Sequence, residues 1–209
     1  MRYRMITIIA AAYAVTTVMA GCSGGPSPSA PPAPPSNTSS SARQLPYAGA
    51  PKVANPLPDS VLSGSPCDAL TPAQVRDALG SEVPAKADTL AGIGPMCSWS
   101  NLDNGAVISV FFTVSSKDGL SGQYANVKPK AQVWKELPAI QGFPAVANVS
   151  PSGGNPKEFC EVNVGISDTA TVDASLILSD SKKGKTDPCS VTPHVADAAI
   201  STLRQKAGA

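Results

Sequence analysis

The chain has 209 residues and is close to electrically neutral, with 16 Lys and Arg residues against 15 Asp and Glu residues and a single His. This balance argues against a nucleic-acid partner, which would need clustered Lys and Arg side chains. One His excludes every metal site that requires two imidazoles, and we expect neither a metal nor a cofactor.

The N-terminus has the pattern of a secretory signal peptide. Arg2 and Arg4 precede an apolar stretch over residues 5–20, and small residues lead up to Cys22. A basic start, an apolar stretch of this length and small residues before a cleavage site are typical of an exported protein. A transmembrane helix is the alternative, but the stretch is short for a bilayer that needs about 20 residues. We therefore predict a signal peptide over residues 1–21.

The residues around Cys22 are more specific than a general cleavage site. Residues 19–22 read Met-Ala-Gly-Cys, which resembles the lipobox of bacterial lipoproteins. In that motif the Cys thiol receives a diacylglycerol and becomes the mature N-terminus. Two or more acyl chains, such as palmitate, hold a protein stably on a membrane. The resemblance implies a lipid anchor at Cys22, which would place the protein at the cell membrane on its extracytoplasmic face.

A segment rich in Pro and Ser follows the predicted anchor. Residues 26–66 contain 11 of the 21 Pro residues, with few charges and few large apolar side chains. Such a composition buries too little surface to offset the entropy lost on ordering. We predict that residues 22–66 are the lipidated Cys and a disordered tether, followed by a folded domain over residues 67–209. A ligand for Pro-binding grooves is the alternative interpretation of the tether.

The first predicted element of the domain is a short helix with strong end signals. Thr71 suits the N-cap, Pro72 the first helical position and Gln74 the third, which together form a capping box. Gly80 suits a left-handed C-cap. These signals predict a helix of two turns that ends near residue 79.

Alternating apolar and polar residues predict an antiparallel sheet that is covered on one side. Asn104-Gly105 is the strongest hairpin signal, and four residues join the last two strands into a second hairpin. The predicted strands cover residues 97–100, 106–114, 134–140, 145–149, 159–166 and 171–179. On the last two strands we expect the following polar residues on the outward face: Glu161, Asn163, Thr171, Asp173 and Ser175.

Two further helices complete the predicted fold. Residues 120–137 are ambiguous, although the spacing of Leu120, Tyr124 and Val127 fits a short helix that Pro129 would stop. A C-terminal helix begins at either Asp187-Pro188 or Thr192-Pro193, since both are pairs of a capping residue and a proline. The order of elements indicates an α+β domain, in which an N-terminal and a C-terminal helix pack on one face of a single antiparallel sheet.

Four cysteines remain in the predicted domain: Cys67, Cys97, Cys160 and Cys189. An even number in an exported domain indicates two disulfides, for which three connectivities exist. We favour Cys67–Cys97, which would tie the first helix to the first strand, and Cys160–Cys189, which would tie the last hairpin to the C-terminal helix. The closely spaced pairs of a zinc site are absent from the sequence.

Several short motifs together resemble one known family. They are Pro66-Cys67-Asp68-Ala69-Leu70, Cys97-Ser98-Trp99, Ile140-Gln141-Gly142-Phe143-Pro144-Ala145, Phe159-Cys160-Glu161-Val162 and Asp187-Pro188-Cys189. The set resembles an actinobacterial envelope lipoprotein family, catalogued as domain of unknown function 3558, which includes mycobacterial lipoproteins. The resemblance implies an anchored, disulfide-bonded extracytoplasmic domain and brings no catalytic residues.

The sequence contains no recognisable catalytic constellation. His194 is the only imidazole, and the G-x-S-x-G motif of a nucleophile elbow is absent. Our first hypothesis is therefore a non-catalytic module that binds an envelope protein, a glycan, or a lipid or other small apolar ligand. The second is a carboxylate-based hydrolase of cell-wall polymer, although no spacing pairs two carboxylates.

Three aromatic residues have two interpretations. Phe111, Trp134 and Phe143 either pack in the core and over the sheet, or line a ligand groove. Aromatic side chains on a half-exposed sheet suit glycan, lipid or protein partners. We therefore keep these three as candidate groove residues.

Overall fold

The computed structural model describes residues 44–208. The predicted signal peptide, Cys22 and the first part of the predicted tether lie outside the described residues. The strands are β1 (Ala85–Leu90), β2 (Gly94–Asn101), β3 (Ala106–Thr113), β4 (Val133–Ile140), β5 (Phe143–Val149), β6 (Phe159–Ser167) and β7 (Ala170–Ile177). They form one antiparallel sheet in the order β1-β2-β3-β7-β6-β5-β4.

Three α-helices accompany the sheet: α1 (Pro72–Leu79), α2 (Leu120–Asn126) and α3 (Pro188–Ala207). Short 3₁₀ turns occupy Asp59–Leu62, Pro66–Ala69 and Lys128–Lys130. The predicted fold class, an α+β domain with one antiparallel sheet and terminal helices, is confirmed. No helix within residues 44–208 is both long enough and apolar enough to cross a membrane.

Local signals set the ends of α1 and α3. The Thr71 N–H donates to Gln74 Oε1 at 2.7 Å, and the Gln74 N–H donates to Thr71 Oγ1 at 3.3 Å, which completes the predicted capping box. At α3 the first of the two predicted starts is correct, because the Asp187 carboxylate accepts the Cys189 N–H at 2.9 Å. Pro193 therefore lies inside the helix.

One face of the sheet forms the main core together with α1 and α3. Ile108 and Val110 on β3, Val162 on β6 and Ile200 on α3 are fully buried there. Both predicted disulfides are confirmed. Cys67–Cys97 joins the turn before α1 to β2, and Cys160–Cys189 joins β6 to the first turn of α3.

The second face of the sheet is also covered, which corrects the prediction of a sheet covered on one side only. Leu120 and Tyr124 of α2 pack there against Val146 and Ala50. The predicted outward residues do lie on this face, but several are buried rather than solvated. The buried ones are Asn163, Thr171, Asp173 and Ser175.

The folded domain begins earlier than the predicted boundary at residue 67. The Val53 N–H donates to Asp168 Oδ1 at 2.9 Å, and the Leu57 N–H donates to the Ile166 carbonyl at 3.0 Å. Both Val53 and Leu57 are buried in the main core. Residues 44–66 are thus not a disordered tether, because a few well-spaced apolar side chains anchor a stretch whose average composition is polar.

The strand β1 has no counterpart in the sequence prediction. It forms the edge of the sheet beside β2, and nearly all of its side chains are exposed. A strand that is exposed on both faces needs no alternation of apolar and polar residues, so that pattern analysis does not detect it.

Candidate functional site

The predicted aromatic groove is not formed by Phe111, Trp134 and Phe143. Phe143 is buried on the core face, whereas the register places Phe111 and Trp134 on the opposite face. β3 and β4 are four strand spacings apart in the sheet, a distance of about 19 Å. The three side chains therefore do not share a surface.

Trp134 belongs instead to a small cluster that holds α2 against β4. Its ring makes an edge contact with Tyr124 at 5.1 Å between centroids, and Lys128 Nζ lies 4.5 Å from the centre of the Tyr124 ring. Lys128 also pairs with Glu136 at 2.8 Å, and this hydrogen bond and positive charge lower the pKa of Glu136. Burial, together with the negative Glu136, raises the pKa of Tyr124 to about 12.

A groove lies between α1 and α3 over one end of β3 and β7. We call it the α1–α3 groove; its volume is about 640 Å³. Its apolar lining includes Leu79, Ala106, Leu176, Leu178 and Val195, all of them buried. Gln74 Nε2 of α1 donates to the Ala198 carbonyl of α3 at 3.1 Å, so that the two walls are fixed relative to each other.

The mouth of the α1–α3 groove is polar. Asp77, Lys182 and His194 line it and are exposed, and Ser179 and Ser181 lie in the same wall. The His194 side chain makes no hydrogen bond or ion pair among the described residues. Among the described residues, neither Ser179 nor Ser181 is hydrogen-bonded to the His194 imidazole, the contact that activates a serine in a Ser-His pair. The groove can instead enclose an apolar group and leave a polar head at the mouth.

A second candidate site lies on the opposite face of the sheet. It consists of Glu161 and Asp173, which we call the carboxylate pair. Asn163 on β6 is aligned with Asp173 on β7, and Glu161 is aligned with Ser175. The two acidic residues are thus diagonal neighbours on one face. Asp173 is 3% exposed, and Thr113 Oγ1 donates to its Oδ2 at 2.5 Å.

Two hydrogen-bonded amide side chains lead to the other carboxylate, Glu161. Asn148 Nδ2 donates to Asn163 Oδ1 at 2.6 Å, and Asn163 Nδ2 donates to Glu161 Oε1 at 2.8 Å. Burial, and secondly the charge of Asp173, raise the pKa of Glu161 to about 7. Burial likewise raises the pKa of Asp173, and hydrogen bonds from Thr113, Asn163 and Thr171 oppose this rise.

Neither the α1–α3 groove nor the carboxylate pair was predicted from the sequence. The groove is built from α1, β7 and α3, which are distant in sequence. The sequence predicts that Glu161 and Asp173 face solvent. Two features nevertheless indicate that another element packs on this face of the sheet. Gly165 lies on the same face, and the outer face of β3 is partly apolar, with Val107 and Phe111. Within residues 44–208, no group of three or more His, Cys, Asp or Glu side chains is placed to hold a metal ion.

Comparison with known proteins gives one match. The family model described as "Protein of unknown function (DUF3558)" matches residues 17–202 of the chain. No match was found among curated proteins or among solved structures.

Proposed function

We propose that this chain, which belongs to the DUF3558 family of proteins of unknown function, is a lipid-anchored cell-envelope protein whose domain binds a small apolar ligand without catalysis. The observation that carries the proposal is the α1–α3 groove. Its volume of about 640 Å³ lies within the range of roughly 300–1,000 Å³ that is usual for small-molecule sites.

The chemistry of the groove supports binding rather than catalysis. Its floor is apolar, and its charged groups, Asp77 and Lys182, lie at the exposed mouth. His194 lies at the same mouth without a hydrogen-bond partner among the described residues. An apolar ligand would gain by leaving water for the floor, and its polar end would stay hydrated at the mouth.

The anchor rests on the lipobox-like residues 19–22 and on the export signal that precedes them. The two disulfides agree with an oxidising compartment. Replacing Cys22→Ala should release the protein from membranes, which fractionation of the native host after a high-salt wash would measure. A variant that stays with the membrane fraction would contradict lipid anchoring at Cys22.

Native mass spectrometry of the full chain, purified from its own membranes, tests the groove. We expect a bound small molecule that denaturing conditions release, whereas an acyl chain on Cys22 would remain covalently attached. Ala198→Trp should abolish this adduct, because Ala198 lines the groove and is partly exposed. The matched control is Ala87→Trp on the exposed edge strand β1, which should keep the adduct.

Two results would contradict ligand binding in the groove. One is a wild-type protein that carries no adduct. The other is an adduct that persists unchanged in Ala198→Trp, which would place any bound molecule elsewhere on the protein.

The alternative, a carboxylate-based hydrolase of cell-wall polymer, has the adjacency of Glu161 and Asp173 as its one supporting observation. The 3% exposure of Asp173 speaks against it, since a polymer would need access to both groups. Release of soluble fragments from purified wall by the wild type, and its loss in Glu161→Gln, would favour the hydrolase.

A further inference from the structure

The carboxylate pair lies away from the α1–α3 groove, on the other face of the sheet. We propose that Glu161 and Asp173 form a proton-binding pair, which holds a proton in the folded domain near neutral pH, so that acidification stabilises the fold. The pair would give the domain a stability that rises as the pH falls from about 8 to about 5.

Burial without a counter-charge is the first reason. Asp173 is 3% exposed and Glu161 is partly buried, and no ion pair in the described part of the chain reaches either carboxylate. Two carboxylates that are diagonal neighbours on adjacent strands repel each other when both are ionised. Protonation of one removes this repulsion and the cost of keeping a second charge in a poorly hydrated place.

The hydrogen bonds around the pair also favour a protonated carboxyl group. Each carboxylate receives one well-formed side-chain hydrogen bond, from Thr113 to Asp173 and from Asn163 to Glu161. The Asn163 and Thr171 side chains also lie near Asp173 and oppose the rise in its pKa, but burial outweighs them. Asp173 Oδ1 and Thr171 Oγ1, two residues apart on β7, are both buried, and neither makes a well-formed hydrogen bond among the described residues. An ionised oxygen without a donor is more costly to bury than a neutral carboxyl oxygen, so the neutral form is favoured at this position.

Among residues 44–208, the elements that pack around the pair supply no compensating positive charge. The neighbouring strands β3 and β5 contribute uncharged side chains to this face, namely Ser109, Phe111, Thr113, Val146 and Asn148. From α2, Leu120 and Tyr124 face the sheet. The Tyr124 phenol is neutral near pH 7, since its pKa is about 12.

The charged groups that do share this face lie further away. Glu136 on β4 and Lys128 pair with each other, so that they are largely neutral as a unit. Lys86 and Asp88 lie on β1, three strands from β7 in the sheet. His194 is at the mouth of the α1–α3 groove, on the other face of the sheet from the pair.

The sign of the effect follows from the direction of the shift. The pKa of Glu161 is about 7 in the folded domain, against the usual value of 4.5 that the unfolded chain would have. Between these values the folded domain binds more protons than the unfolded chain. The contribution to stability is therefore complete below the lower value and is lost as the pH rises through the upper one.

Thermal and denaturant unfolding of the full chain in detergent between pH 5 and pH 8 tests the proposal. For wild type we expect the unfolding equilibrium constant to rise by up to about tenfold per pH unit between about pH 5 and pH 7. Glu161→Gln and Asp173→Asn keep the shape of the side chains and should flatten this dependence and raise the midpoint at pH 8.

Glu136→Gln is the matched control, since Glu136 lies on the same face but is exposed and paired with Lys128. This variant should leave the pH dependence of stability between pH 5 and pH 8 unchanged. A wild-type stability that stays constant, or that increases as the pH rises from 5 to 8, would overturn the proposal. It would also be overturned if the variants of both carboxylates kept the full pH dependence of wild-type stability.

A measurement on wild type alone keeps the test decisive if the variants fold poorly. Carboxyl-carbon NMR should show a side-chain carboxyl that titrates near pH 7. If the carboxyls of Glu161 and Asp173 both titrated below pH 5, the proposal would be refuted.

Millimolar Ca²⁺ provides a last check. Stabilisation of wild type but not of Asp173→Asn by Ca²⁺ at pH 8 would overturn the proposal in favour of a cation site.

Discussion

Gly165 on β6 lies directly beneath Leu120 of α2. A Cβ atom added at Gly165 would be 2.9 Å from Leu120 Cδ1, 3.0 Å from Leu120 Cγ and 3.5 Å from Val53 Cγ2. Both neighbours are buried, so that neither can turn away into solvent. This contact fixes α2 on the second face of the sheet, which also carries the carboxylate pair.

We expect Gly165→Ala to destabilise the domain by about 1–3 kcal/mol, the usual cost of overpacking a buried site. Chemical denaturation would measure the loss. The double variant Gly165→Ala with Leu120→Ala should lose less than the sum of the two single variants, because the second change makes room for the added methyl group.

Gly64→Ala is the control for this prediction. A Cβ atom at Gly64 meets nothing within 4 Å, so the stability should change by less than about 0.5 kcal/mol. Equal stability of Gly165→Ala and wild type would mean that α2 does not pack on Gly165 as closely as described.

The disulfides should contribute similar amounts to stability, although they hold different parts of the domain. The bridge Cys67–Cys97 spans 30 residues and Cys160–Cys189 spans 29. Loops of this length correspond to about 3–4 kcal/mol in the chain-entropy model. Denaturant midpoints of the double variants Cys67→Ala/Cys97→Ala and Cys160→Ala/Cys189→Ala would measure each loss. Peptide mapping that found Cys67 linked to Cys160 or Cys189 would contradict the pairing itself.

The parts of the fold that were predictable from sequence are those with local chemical causes. Thr71 and Gly80 mark the ends of α1 because capping depends on residues within one turn. Asn104-Gly105 predicts the β2–β3 hairpin for a similar reason. The disulfide pairing was favoured by the order of elements and is confirmed.

The parts that were not predictable depend on contacts between distant residues. Alternation placed Asp173 on the correct face of its strand, but it does not say what covers that face. The cover includes α2, about 50 residues earlier in the chain. Likewise the α1–α3 groove exists only after β7 brings both helices together. Composition averaged over residues 22–66 also concealed Val53 and Leu57, whose burial depends on the completed core.

Asn101 connects the end of α1, one wall of the groove, to β2. Its Nδ2 donates to the Leu79 carbonyl and to Ser81 Oγ, each at 3.0 Å, and its Oδ1 accepts the Asp103 N–H at 3.0 Å. The side chain is 6% exposed. Asn101→Ala should cost about 1–3 kcal/mol, because it leaves buried polar groups without partners.

Thermal unfolding would measure this cost, with Asn155→Ala as the exposed control. Asn155 donates from its side chain to Glu158 Oε1 in a surface loop, and surface bonds of this kind contribute little. If Asn101→Ala unfolded at the same temperature as Asn155→Ala, the connection between α1 and β2 would not depend on the Asn101 amide.

The last prediction concerns Glu136, whose pKa is lowered by the hydrogen bond and then by the charge of Lys128. A carboxylate with a lowered pKa stabilises the fold above its usual pKa of 4.5, and this contribution is lost as the pH falls through the lowered value. Lys128→Met removes the charge but keeps an apolar stem over the Tyr124 ring. It should return the pKa of Glu136 towards its usual value, which carboxyl NMR would follow. Lys130→Met, an exposed neighbour outside the cluster, should leave the Glu136 titration curve as in wild type. Identical Glu136 titration in Lys128→Met and wild type would show that the two side chains do not pair in solution.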